Sequence, residues 1–103
     1  MLHISFYVPV EDAEKVKQAM FKAGGGKIGN YDQCSFDIRG LGQFRPLAGS
    51  HPTLGKQGTV ERVSELKVEM VCEKPLIKDV IAALKKAHPY ETPAYYVIET
   101  LSL

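Results

Sequence analysis

Tryptophan is absent from the 103 residues, and cysteine occurs only twice, as Cys34 and Cys72. Two thiols are too few for a disulfide scaffold, so the expected setting is cytoplasmic with both thiols free. Neither sign of charge dominates: thirteen Lys and Arg against twelve Asp and Glu leave a formal charge of +1. That excludes the basic footprint of a nucleic-acid binder and the acidity of a solvating tail. No run approaches the ~20 apolar residues of a membrane span. Met1-Leu2-His3-Ile4-Ser5-Phe6-Tyr7 lacks the charged leader and apolar stretch of a secretory signal. What remains is 45% hydrophobic and 24% charged. That is a globular composition, sufficient for a single domain over 1–103 and too short for two.

Glycine is missing from both ends of the chain, since all nine lie between Gly24 and Gly58. The regular segments flank that window. Leu2, Ile4, Phe6 and Val8 alternate with His3, Ser5 and Tyr7, the pattern of a half-buried strand that Pro9 ends. Ala13, Val16, Met20 and Ala23 recur at helical spacing, predicting a helix near 11–23 with acids at its start, Lys22 at its end and Gly24 as its stop. Leu66, Val68, Met70 and Cys72 predict a strand with Cys72 in the core, and Pro75 suits the start of a helix. Its apolar stripe is Ile77, Val80, Ile81, Leu84 and Ala87, and Pro89 stops it. Tyr95–Leu101 reads as a closing strand and 31–38 as the remaining one. The order βαββαβ predicts an α+β fold of the ferredoxin-like, split βαβ kind: an antiparallel sheet with two helices on one face.

Between the second and third strands lies a Gly-rich excursion, Arg39 to Gly58. Structureless loops beyond ~12–15 residues are uncommon in compact domains. Phe44, Pro46, Leu47, Pro52 and Leu54 are unsuited to a solvated linker. The expectation is an ordered excursion whose apolar side chains are covered by the domain or by a neighbouring subunit.

Short motifs that carry chemistry are few. Gly49-Ser50-His51-Pro52-Thr53-Leu54-Gly55-Lys56-Gln57 fails as a phosphate loop: its glycines are wrongly spaced, and Gln57 stands where Ser or Thr must reach magnesium. Gly24-Gly25-Gly26 follows a helix instead of opening one and reads as a flexible exit. No Asp or Glu occurs between Ile38 and Val60, whereas Arg39, Arg45 and Lys56 do, so a small anion is one candidate ligand and simple solvation the alternative. For a divalent metal the candidates are His88 and Glu91, with His3 joining only if the fold brings it near. Otherwise His88 caps the last helix carbonyls. Glu61, Glu65 and Glu69 read as solvated strand-edge glutamates, with a carboxylate-based hydrolase as the alternative. No catalytic constellation emerges.

The segments Gly26-Lys27-Ile28-Gly29-Asn30-Tyr31-Asp32-Gln33-Cys34-Ser35-Phe36, Gly40-Leu41-Gly42-Gln43-Phe44-Arg45-Pro46 and Gly49-Ser50-His51-Pro52-Thr53-Leu54-Gly55, with Glu61, Val63, Glu65 and His88-Pro89-Tyr90-Glu91, together resemble the insertion domain of YqfO-type proteins of the NGG-interacting-factor-three family. The similarity spans nearly the whole chain, here as a stand-alone one. It implies a PII-like or CutA-like fold, usually oligomeric, with no established catalytic activity, serving small-ligand sensing or protein assembly. CutA-like kinship also implies the alternative of a divalent-metal-tolerance protein. The di-metal ligands of the longer relatives lie on a flanking domain and map to no residue here. In relatives the HPYE segment often continues with a second acid, whereas Thr92-Pro93 follow Glu91 here. The implied ligand or interface candidates are Gly29, Tyr31, Cys34, Phe36, Gly42, Phe44, Arg45, Pro46, Gly49, Pro52, Gly55, Lys56, Glu61, Pro89 and Tyr90. The expected partner is the chain itself, as a trimer first and a dimer second, with Tyr7, Tyr31, Tyr95 and Tyr96 packing against the next copy. A larger protein and a small anionic ligand remain further possibilities, and neither nucleic acid nor a membrane is expected.

Overall fold

The computed structural model describes all residues from Met1 to Leu103. Strand β1 (Leu2–Pro9) keeps its period of two: Leu2, Ile4, Phe6 and Val8 are buried on one side, and His3, Ser5 and Tyr7 face the other. Pro9 stays inside the ladder, opposite Glu65. A 3-10 turn, Val10–Asp12, leads into helix α1 (Ala13–Lys22), which buries Ala13, Val16 and Met20. The helix ends in a Schellman motif: Gly24 N–H donates to Phe21 O at 3.0 Å and Gly25 N–H to Met20 O at 3.0 Å. Gly24 has φ +113°, a conformation that side chains disfavour. Gly26 N–H then donates to Val71 O at 2.7 Å. The triplet is therefore pinned by backbone hydrogen bonds, which corrects the expectation of a flexible exit.

Strands β2 (Phe36–Phe44) and β3 (Glu61–Cys72) form one long antiparallel hairpin. After a 3-10 turn containing Pro75 comes helix α2 (Ile77–Ala87), then β4 (Tyr95–Glu99). The sheet order is β2-β3-β1-β4 and every neighbouring pair is antiparallel, the arrangement expected of βαββαβ. Val16 and Met20 of α1 and Val80 and Leu84 of α2 close over Ile4, Phe6, Val8, Val68, Met70 and Cys72 in a single core. Both helices thus cover one sheet face, and Cys72 is a core residue.

Three boundaries differ from the sequence reading. The second strand is Phe36–Phe44, not 31–38; Ile28 and Tyr31 instead exchange backbone hydrogen bonds of 2.9 Å across a tight turn. The third strand starts at Glu61, before Leu66, and the fourth ends at Glu99. The excursion accordingly shrinks to 45–60. The physical reason is Gly42: a Cβ there would collide with the carboxyl group of Glu65, so the side chain of β3 lies directly over the backbone of β2. Glycine in that strand marks close approach and not a loop. Since β1 pairs with β3 only from Glu65 to Cys72, the distal end of the hairpin stands as a two-stranded ribbon. It extends the molecule to 46 × 25 × 25 Å.

The other face of the sheet is covered by neither helix. Register places Phe36 and Ile38 of β2, Tyr7 of β1, and Tyr96 and Ile98 of β4 there. Phe36, Tyr96 and Ile98 are 65%, 59% and 60% exposed. Tyr95 points the opposite way, against the helix side, with Lys85 Nζ 5.5 Å from its ring centre, so it leaves the set of tyrosines available to another copy.

Candidate functional site

Three segments converge where the hairpin leaves the body: Phe44 at the end of β2, the loop 45–60, and the turn 88–92 that follows α2. The turn is built around His88. Its backbone N–H caps α2 by donating to Leu84 O at 2.9 Å, and its ring is buried against β1. Tyr90 N–H donates to Nδ1 at 3.1 Å, which leaves the ring proton on Nε2 to be donated to Tyr7 O at 2.7 Å. Burial holds the imidazole below its ordinary pKa, partly offset by the Tyr7 carbonyl. The ring therefore ties the turn to a strand and does not cap helix carbonyls, the role first assigned to it.

Tyr90 packs against both His88 and Phe44, with ring centres 5.1 Å and 5.7 Å away and each pair tilted by 57°. Its hydroxyl is buried without a well-aligned hydrogen-bond partner, close enough to Glu65 for the two groups to bias each other's titration. Burial first, and then the charge of Glu65, push the phenol up to about 12. Glu65 is 9% exposed, and burial raises its pKa against the opposing effect of the Tyr90 hydroxyl. The middle glutamate of the spaced trio is thus a covered group, correcting the reading of all three as solvated. Of the others, Glu69 pairs with His3 at 3.3 Å and Glu61 packs beneath Gly55.

The loop is ordered by its own polar groups. Gly58 N–H donates to Pro46 O at 2.7 Å, Ser50 Oγ to Leu47 O at 2.6 Å, and Gln57 Nε2 to Ser50 O at 3.1 Å. It is docked on the turn by His51 N–H donating to Glu91 Oε2 at 2.9 Å and Thr53 Oγ1 donating to Pro89 O at 2.7 Å. At Gly55, φ is +92° and a Cβ would approach Glu61 Cγ to 2.6 Å. Between loop and turn lies a cavity of about 190 Å³, lined by Phe44, Pro46, Ser50, Pro52, Thr53, Leu54, Tyr90, Glu91 and Thr92.

The fold brings Phe44, Pro46, Pro52, Tyr90 and Glu91 together in that lining; Pro89, Gly49 and Gly55 are outside it, Pro89 accepting from the lining Thr53 and the two glycines turning the loop at positive φ. Arg45 and Lys56 are exposed and lie outside the lining, as does Arg39, so the candidate anion cradle is not assembled in this cavity. Cys34 and Phe36 belong to a separate hollow of about 300 Å³ with Ile28, His3 and Glu69, and Gly29 and Tyr31 sit on the turn beside it. His3 and His88 are not brought together. His88 meets β1 at Tyr7, four residues and about 13 Å along the strand from His3. Both ring nitrogens of His88 are engaged by backbone groups, and no three His, Cys, Asp or Glu side chains converge as metal ligands. The sequence reading missed Ser50, Thr53, Leu54 and Thr92 in the lining and the burial of Glu65. Hydroxyl residues in a loop carry no periodic signal, and a glutamate at a polar strand position looks the same whether or not a neighbouring strand lacks a side chain.

Fold and site together define a ferredoxin-like α+β domain of the CutA-like kind whose hairpin loop is folded back on the turn after α2. No family model matches the chain. It is 48% identical over 86% of its length to the "GTP cyclohydrolase 1 type 2 homolog" of Mycobacterium bovis, of which it covers 24%. In the crystal structure of a Bacillus cereus protein related to NIF3, 93% of this chain superimposes with a TM-score of 0.80 at 41% identity, covering 24% of that protein. The fold alone is shared with CutA1 of Pyrococcus horikoshii, with a TM-score of 0.72 at 19% identity over 100% of this chain and 86% of that one. The chain thus spans about a quarter of the length of the NIF3-related relatives it matches, and over most of its length it is homologous to one segment of them, as its motifs implied. No helix is long and apolar enough to cross a membrane.

Proposed function

We propose that this domain is a non-catalytic, cytoplasmic assembly module whose uncovered sheet face is buried against further copies of itself, three in the first instance and two as the alternative. The observation that carries the reading is that face. A sheet needs both sides covered unless one is polar, and here Phe36, Ile38, Tyr96 and Ile98 leave it apolar and exposed. Charge on the same face is mixed: His3 and Glu69 pair, and Lys67 stands between Glu65 and Glu69 on β3. Like copies can therefore meet without net repulsion, and closed symmetry limits growth. Within a longer relative, such a module would hold several flanking domains in one particle. Sedimentation velocity at tens of micromolar tests the reading. A discrete species at a multiple of 11.4 kDa is expected, and a monomer at that concentration overturns it.

A further inference from the structure

We propose that the cavity between the hairpin loop and the turn after α2 binds a small organic cation of the alkylated-ammonium class. The inference is separate from self-association: Phe36, Ile38, Tyr96 and Ile98, the residues argued for that contact, do not line the cavity. At about 190 Å³ the cavity is far larger than the ~10–15 Å³ that admits one water. It therefore accommodates a ligand of several heavy atoms.

The chemistry of its walls selects the charge. Two aromatic rings, Phe44 and Tyr90, line it in contact with each other, centres 5.7 Å apart and tilted by 57°, and form one aromatic wall, with Pro46, Pro52 and Leu54 as further apolar wall. Aromatic faces attract a cation within about 6 Å of the ring centre, and alkylated ammonium ions are suited to this because their methyl groups also need an apolar surface. No lysine or arginine lines the cavity. A carboxylate does: Glu91 spends one oxygen, Oε2, on the His51 amide, which fixes the side chain at the rim and leaves Oε1 without a hydrogen bond. A second carboxyl, Glu65, lies near the Tyr90 hydroxyl, outside the lining, and adds to the negative potential when ionised. An inorganic metal ion would find a single carboxylate and no imidazole here, whereas an ammonium ion with an apolar shell requires no more than that.

The test is a heteronuclear NMR titration of the intact domain with choline, and in parallel with 3,3-dimethylbutan-1-ol, its uncharged isostere. Choline is expected to shift the amides of Phe44, Thr53, Leu54 and Tyr90 saturably. The isostere is expected to bind about 3- to 30-fold more weakly, the range of a cation–π contribution. Glu91→Gln keeps an acceptor for the His51 amide while removing the charge, and is expected to weaken choline severalfold without moving the isostere. Tyr90→Leu is expected to weaken choline by about 3- to 30-fold and the isostere less, with dispersed amide spectra confirming that the variant is folded. Equal affinity for choline and its isostere, or no saturation by about 50 mM choline, overturns the proposal. Sedimentation of the same samples reads self-association separately, so failure of either proposal leaves the other standing.

Discussion

At the residue scale the most constrained contact is between Gly42 and Glu65, where a side chain of β3 occupies the space that a Cβ on β2 would need. Gly42→Ala must displace a buried carboxyl, and should cost about 1–3 kcal/mol, the range for overpacking. Urea unfolding at neutral pH would measure it. Glu65 carries a pH signature as well. Burial raises its pKa in the folded state above the ordinary 4.5, so the folded protein holds that proton more tightly than the unfolded chain does. The associated stability is fully present below about pH 4.5 and is lost as pH rises through the elevated value. Glu65→Gln should therefore lose that dependence, and the difference in Tm between variant and parent should grow in the variant's favour from about pH 4.5 towards neutrality. His88 acts in the opposite sense. Its depressed pKa means that the unfolded chain takes up a proton first, so stability is present above the ordinary 6.5 and falls as pH drops below it. His88→Ala removes two hydrogen bonds made by a buried ring and should cost about 2–4 kcal/mol. That loss should shrink as the pH is lowered below about 6.5, because the parent alone then pays the protonation penalty.

At the element scale, a two-stranded ribbon is marginal in water without packing support. The distal part of β2–β3 obtains it from the loop folded onto the turn, through Thr53 to Pro89 and His51 to Glu91. Thr53→Val combined with Glu91→Ala removes both ties. Amide exchange over 45–60 should then accelerate by about 10- to 100-fold, as two hydrogen bonds of roughly 1 kcal/mol each are lost, with β1 and α2 unaffected. The parts of the fold legible in the sequence were those with a strong periodic signal. Leu2 to Val8 alternate, and Ala13, Val16 and Met20, like Val80 and Leu84, recur at helical spacing; these residues form the core. The second strand was misplaced because its distal half contains Gly40 and Gly42, residues that argue against a strand until the side chain lying over one of them is known. The start of β3 was missed for a related reason. Glu61, Arg62, Ser64 and Glu65 surround a lone Val63, so polar composition hid a ladder held by backbone hydrogen bonds. Of the site, the aromatic and proline residues were legible through their motifs. Their convergence was not, because it depends on Thr53 and His51 docking across a separation of some forty residues.

For the whole molecule, the question is what covers the sheet face opposite the helices. The core cluster lies entirely on the helix side, so Phe36, Ile38, Tyr96 and Ile98 contribute nothing to the stability of an isolated copy beyond local packing. If copies bury that face against one another, assembly stabilises the native state by mass action, and Tm depends on protein concentration. For a domain of this size, raising the concentration about a hundredfold should raise Tm by about 5–15 °C. The double variant Phe36→Lys with Ile98→Lys places charges on two strands of the exposed face without entering the core, and Phe36 and Ile98 are already 65% and 60% exposed in one chain. Its Tm should therefore become independent of concentration and match that of the parent at high dilution, while its circular dichroism stays unchanged. A parent whose Tm is flat across that range carries no interface worth measuring, and a variant that keeps the dependence places the contact elsewhere on the surface. Either result would detach the exposed aromatic and aliphatic side chains from assembly.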